Sequence, residues 1–142
     1  MGSHDQESGD DYNITHMKFL DDIEHVRHRS AMYIGDLGND GLHHLVHEVI
    51  DNSIDEVMAG YATRIQVSVS ADGSIEIQDD GRGIPVDYDT NIGKSSLEGA
   101  LTVLKYSAKF ENAAYAVSGG LHGMGLKTVN FLSTACRVTV HR

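Results

Sequence analysis

Between Leu42 and Met58 the side chains Leu42, Leu45, Val46, Val49, Ile50, Ser53 and Val57 recur at intervals of three and four, and Gly60 follows as a stop. A stripe with a period of about 3.6 residues closes onto one face only in an α-helix, and so long a helix must lay that face on another layer. The next segment has the other period. Ile65, Val67 and Val69 alternate with Gln66, Ser68 and Ser70, and after Asp72-Gly73 the alternation resumes at Ile75 and Ile77. This predicts an antiparallel hairpin with one buried face. Upstream, Phe19, Leu20, Ile23 and Val26 predict a helix over 18–28, which Met32-Tyr33-Ile34-Gly35 ends as an apolar cluster and a breaker. Downstream lies a Gly/Asp-rich loop over 79–89, then a helix with Leu97, Ala100, Leu101 and Leu104 that Ser95 or Ser96 can cap. A glycine-rich stretch over 118–125 opens a helix with Leu126, Val129 and Leu132, and Val138 and Val140 predict a closing strand. The succession predicts an α+β two-layer sandwich, with helices on one face of a mixed, mostly antiparallel sheet.

A chain of 142 residues, 40% of them hydrophobic, supports one modest core and therefore one domain, expected over 12–142. Met1 to His4 read as a tag remnant, and the polar, acidic stretch up to Asp11 reads as a disordered arm. Twenty-one acidic against 11 basic residues give a net charge of −10, which repels a phosphate backbone and argues against direct contact with DNA. The single cysteine, Cys136, has no internal partner, and no Cys/His spacing suits a structural zinc, so a reducing cytoplasm is expected. No apolar run reaches membrane-spanning length.

Three places carry chemistry. On the long helix, a turn of about 100° per residue brings Glu48, Asn52 and Asp55 onto one stripe beside the apolar one. An acid and an amide so placed suit either a solvated face or a site. In the hairpin, Asp79 continues the face of Ile75 and Ile77, where a carboxylate needs donors from neighbours or from a ligand. Gly81 and Gly83 flank Arg82 and give the backbone freedom, while Ile84 and Pro85 offer an apolar wall; a flat ring would fit such a slot, although Asp79-Asp80-Gly81 also suits a plain turn. Finally, Ser118-Gly119-Gly120-Leu121-His122-Gly123-Met124-Gly125 precedes a helix, whose free N–H groups and dipole favour a phosphate. It is not a P-loop, since Leu126 stands where lysine must follow Gly125 and Lys127-Thr128 are out of register. The dinucleotide fingerprint fails as well, for want of a third glycine and a βαβ unit.

Taken in order, the string His43 to Glu56, the string Asp79-Asp80-Gly81-Arg82-Gly83-Ile84-Pro85 and the loop Ser118 to Gly125 resemble the three nucleotide-binding motifs of bacterial type IIA topoisomerase ATPase subunits, gyrase-B-like or topoisomerase-IV-E-like, in the GHKL (Bergerat-fold) superfamily. Met32-Tyr33-Ile34-Gly35 belongs to the same resemblance, which runs from Tyr12 onward. It implies ATP and Mg2+ as cofactors. It implies that Glu48 is the general base, that Asn52 is the magnesium ligand, and that Asp79 accepts a hydrogen bond from the adenine amino group, with Asp55 and Glu56 beside them. Gly83, Ile84 and Pro85 then line the adenine pocket, and Arg82 pairs with Glu56 at its edge. Lys109 with Gly119, Gly120, Leu121, His122, Gly123, Met124 and Gly125 corresponds to the phosphate-binding lid, and Tyr12 to an arm that reaches the nucleotide of the partner copy.

The function so implied is magnesium-dependent ATP hydrolysis that closes a homodimer through the N-terminal arm, with a gyrase-A or topoisomerase-IV C-type subunit as partner and DNA engaged only through the complete enzyme. The adenine pocket would accept an ATP-competitive inhibitor. Two departures stand out: Ser30-Ala31 replace the usual Pro-Gly, and Ser107-Ala108 replace two glycines before Lys109, which predicts a less mobile lid. The resemblance also places the end of this chain before the adenine-recognising threonine and the transducer lysine, so nucleotide binding with little or no turnover is expected. Two rivals remain: a metal hydrolase using His43, His47 and Asp51 with Glu48 as base, and a nucleotide-dependent dimerisation module without catalysis. If the main reading is right, Asp79, Glu48 and Asn52 open onto one cavity.

Overall fold

The computed structural model describes residues 21–104, 106 and 124–142. Helix α1 spans Asp22–His28 and begins where Asp21 accepts a hydrogen bond from the Glu24 N–H at 2.8 Å, with acids in its first turn and bases in its last, as the helix dipole favours. The apolar cluster that follows is not merely a terminator. It forms a short helix α2, Ser30–Ile34, closed by Gly35 at φ 77°.

Helix α3 covers Asn39–Met58 and so begins before the expected start at Leu42. Its first turn depends on Gly41, where a Cβ would stand 1.9 Å from the Asp36 carbonyl oxygen. Strands β1, Ile65–Val69, and β2, Ile75–Asp79, pair antiparallel in the register Ile65 to Asp79, Val67 to Ile77 and Val69 to Ile75. Gly73, at φ 85°, makes the turn.

The expected burial of one whole hairpin face is corrected: Val67, Val69 and Ile75 are 46%, 72% and 44% exposed. Helix α3 packs against β2 and shelters only the Asp79 end, where Ile65, Ile77 and Asp79 are partly buried. A second small antiparallel pair joins β3 (Tyr88–Asp89), at the end of the segment read from sequence as loop, to β4 (Lys94–Ser95), just before the helix that Ser95 caps. Helix α4, Ser96–Thr102, is capped by Ser95, which accepts from the Glu98 N–H. Helix α5, Gly125–Leu132, packs against α1, α3 and α4.

The closing strand expected at Val138 and Val140 pairs in no ladder among the described residues, and both sheets there are antiparallel. The α+β architecture stands, with the mixed pairing not formed in this part. Among the described residues Val26, Ala62 and Phe131 are the buried apolar side chains, joined by Ser53, Lys127 and Thr128. Lys127 directs its Nζ to the Tyr106 carbonyl, and Asn130 donates to the Leu101 carbonyl at 3.1 Å, so α5 holds the C-terminal end of α4 and the chain just beyond it through backbone acceptors. Burial pushes the Lys127 amine down from its ordinary value. Among the described residues no helix is long and apolar enough to cross a membrane.

Candidate functional site

Helix α3 organises the site. Glu48 is 12% exposed at its side chain, and Asn52, Asp55 and Glu56 are each partly buried, whereas His43 and Asp51 face solvent. No group of three His, Cys, Asp or Glu among the described residues is placed to hold a metal, which removes the geometric support for a hydrolase built on His43, His47 and Asp51.

Asp79 is gripped from two sides. The Ser53 hydroxyl donates to its Oδ2 at 2.7 Å, and the Gly81 N–H donates to its Oδ1 at 2.9 Å. The acid at the end of β2 is thereby fastened to α3. The next residue plays a different part, since Asp80 accepts from the Thr63 N–H and hydroxyl, both at 2.7 Å, and from the Arg64 N–H at 2.9 Å. Those bonds, the Thr63 hydroxyl foremost, draw its carboxyl down to about 2. Asp80 is a structural tie between the two strands, and Asp79 is the acid turned to the helix.

Glu56 takes Arg82 in a two-pronged pair, Nη2 to Oε1 at 2.8 Å and Nε to Oε2 at 3.0 Å, and also accepts from the Arg82 backbone N–H at 3.2 Å. The guanidinium lies 3.6 Å from the centroid of the Tyr61 ring, a cation–π stack that sequence reading did not anticipate. Gly81 has no room for a side chain, because a Cβ would stand 2.9 Å from Asp79 Oδ1 and 3.1 Å from Glu56. Gly83 adopts φ 77°, and a Cβ on it would meet Val140 at 2.7 Å. Ile84 and Pro85 follow, both partly buried.

At the other end of the helix stripe, His44 Nε2 lies 3.2 Å from Glu48 Oε1. Gly125 opens α5 directly against this acid: a Cβ there would stand 1.9 Å from Glu48 Oε2. Tyr33, Met124 and Thr128 complete a small recess around Glu48. Asp79, by contrast, borders a cavity of about 230 Å³ together with Asp80, Gly81, Gln66, Gln78 and His141. The expectation that the two acids share one cavity is therefore not met among the described residues. The first turn of α5 closes over Glu48, while Asn52 lies on α3 between Glu48 and the Ser53 that holds Asp79.

Met124 and Gly125 are placed, but Tyr12, Lys109, Gly119, Gly120, Leu121, His122 and Gly123 lie outside the described residues. Sequence reasoning missed Ser53, which it counted into the apolar stripe. Its signal was a lone hydroxyl in that row, in a helix that must pack on the strand bearing Asp79.

Helices laid on a hairpin, an acid and an amide one turn apart on the longest helix, and an acid ending the second strand before a Gly-Arg-Gly turn define the GHKL class of α+β folds. Comparison with known proteins agrees. Residues 38–142 match the profile described as histidine kinase-, DNA gyrase B-, and HSP90-like ATPase. The chain is 51% identical over 131 residues to the DNA gyrase B protein of Thermotoga maritima, across 92% of this chain and 21% of that protein. It is 50% identical to the DNA gyrase B protein of Synechocystis sp., across 92% of this chain and 12% of that protein. The crystal structure of the 43K ATPase domain of Thermus thermophilus gyrase B in complex with an aminocoumarin superposes with a TM-score of 0.63 at 44% identity, covering 76% of this chain and 25% of that one. The chain belongs to the histidine kinase-, DNA gyrase B- and HSP90-like ATPase family. It spans only 12% to 21% of the length of these two curated relatives.

Proposed function

We propose that the chain is the nucleotide-binding part of a type IIA topoisomerase ATPase subunit, gyrase-B-like or topoisomerase-IV-E-like, that binds ATP with magnesium and hydrolyses it to close a dimer. The observation that carries this reading is the fastening of Asp79 to α3 through Ser53, directly beside Asn52 and on the same helix as Glu48. A carboxylate held there accepts the N–H of a purine amino group, and Ile84 and Pro85 offer apolar surface to the ring. Arg82, paired with Glu56, stands at the pocket edge.

Asn52 would lend magnesium its amide oxygen. Magnesium takes few protein ligands, keeps waters and shares the phosphates, which suits a site with no three-ligand protein cluster among the described residues. When bound, the ion neutralises charge on the phosphate oxygens. Glu48, oriented by His44, serves as general base toward the attacking water. The N–H groups at the start of α5 and the glycines before it receive the phosphates, with Lys109 as their cation, and Tyr12 reaches the nucleotide of the partner copy. A gyrase-A or topoisomerase-IV C-type subunit and DNA would be met through the complete cytoplasmic enzyme. The aminocoumarin in complex with the Thermus thermophilus domain supports inhibitor binding by this domain, and we assign an ATP-competitive inhibitor to the adenine pocket.

Calorimetry with a non-hydrolysable ATP analogue and magnesium tests the reading. Asp79→Asn should weaken binding by about tenfold or more, the worth of a hydrogen bond to a charged acceptor. Little or no turnover is expected of this chain alone, so phosphate release is read on the complete subunit, where Glu48→Ala should leave binding largely intact and abolish release. Absence of nucleotide binding by the unmodified chain sinks the proposal, and binding without phosphate release by the complete subunit identifies a nucleotide-dependent dimerisation module instead.

A further inference from the structure

Resting on that reading of Asp79, we infer that Ser53 is a positioning residue for base recognition, whose hydroxyl sets the Asp79 carboxylate to accept a purine amino group and so supports preference for adenine. Ser53 is 3% exposed, in the middle of the face that α3 lays on β2. A hydroxyl taken out of water there needs a partner, and the one it has is Asp79 Oδ2 at 2.7 Å. Alanine would pack in the same row without that requirement.

With the Gly81 N–H on Oδ1 at 2.9 Å, each carboxylate oxygen carries one protein donor among the described residues. An ionised carboxylate has about four acceptor positions, so each oxygen keeps one for a ligand, in a plane that the protein has already chosen. A group held in its bound orientation loses little freedom on binding. Without the Ser53 hydroxyl, the Gly81 bond from its own loop would be the one hydrogen bond restraining the acid among the described residues, and rotation about the Cβ–Cγ bond would cost Oδ2 its fixed direction. An acceptor-only pair of oxygens receives the amino group of adenine and opposes the carbonyl of guanine, so a fixed direction sharpens the choice.

The test is a comparison of two nucleotides on two proteins. Calorimetry with magnesium measures the unmodified chain and Ser53→Ala against a non-hydrolysable ATP analogue and against the matching purine riboside analogue, which lacks the 6-amino group. Ser53→Ala should weaken the ATP analogue by about three- to tenfold, the worth of one hydrogen bond, and leave the purine analogue within about twofold. Ser53→Cys, nearly the same size with a weaker donor, should fall between them. Equal losses for both nucleotides, or no loss for either, overturn the inference while the role of Asp79 stands. If the unmodified chain itself binds both nucleotides alike, the role of Asp79 fails and this inference fails with it.

Discussion

Single side chains here are fixed by their immediate neighbours. Gly125 is the sharpest case. Any Cβ at that position would stand 1.9 Å from Glu48 Oε2 and 3.1 Å from Glu48 Cβ, so the acid or the first turn of α5 must move. Gly125→Ala should cost about 1–3 kcal/mol in urea denaturation, the range for overpacking a tight contact. An unchanged midpoint would show that the Glu48 carboxylate swings aside without cost. Asp80 gives a prediction in pH. Its carboxyl is held at about 2, below the ordinary value of 3.8, so the stability it adds is complete above 3.8 and is lost as pH falls from there through about 2. In acid titrations Asp80→Asn should lack that part of the loss, and a parallel titration curve for the two proteins would refute the tie to Thr63. The neighbouring acids look alike in sequence, and only their partners separate a strand tie from an acid turned to helix α3.

At the level of elements, α5 is the keystone. Phe131 fills the core, Asn130 holds the Leu101 carbonyl, and Lys127 holds the Tyr106 carbonyl from a nearly closed position. A buried amine with a lowered pKa binds a proton less readily in the folded chain than in the unfolded one. Its penalty is full below the folded pKa and is relieved as pH climbs toward the ordinary value of 10.5. Lys127→Met removes the titration, so the stability of the unmodified chain relative to the variant should improve as pH rises from 7 toward that value in urea melts. A constant difference across that range would show that the amine bears no desolvation cost. The hairpin teaches the opposite lesson: its alternation correctly predicted β1, β2 and their facing residues, but alternation does not say how much of a face a neighbour covers. Helix α3 shelters the Asp79 end, and Val67, Val69 and Ile75 lie beyond its cover.

For the molecule as a whole, a net charge of −10 opposes any anion that approaches it. Under the proposed function, magnesium arriving with the nucleotide would offset part of that opposition. A ligand at about a hundred times its Kd adds about 2.7 kcal/mol of stability, which for a chain of this size corresponds to a rise in Tm of about 5–10 °C. That rise should appear in a thermal melt with ATP analogue and magnesium and should shrink when a chelator removes the ion; the same Tm with and without magnesium would exclude the role given to Asn52.

The elements themselves were legible from residue order, because periods of about 3.6 and 2 report directly which side chains share a face. Thus the long helix, the hairpin, the Ser95 cap and the helix after the glycines all lie where the pattern put them. That Glu48 and Asn52 share one stripe of a helix and that Asp79 ends a strand was legible for a related reason, since spacing along one element is already geometry, whereas the expected opening of both acids onto one cavity was not met among the described residues. Tertiary packing decided the rest. It made a helix of Ser30–Ile34, paired Tyr88–Asp89 with Lys94–Ser95, stacked Tyr61 on Arg82, set Gly125 against Glu48 and turned Ser53 from a gap in an apolar row into the partner of Asp79. Most of these join residues from different elements or loops, and no period along a chain encodes the distance between two surfaces that meet only after it has folded.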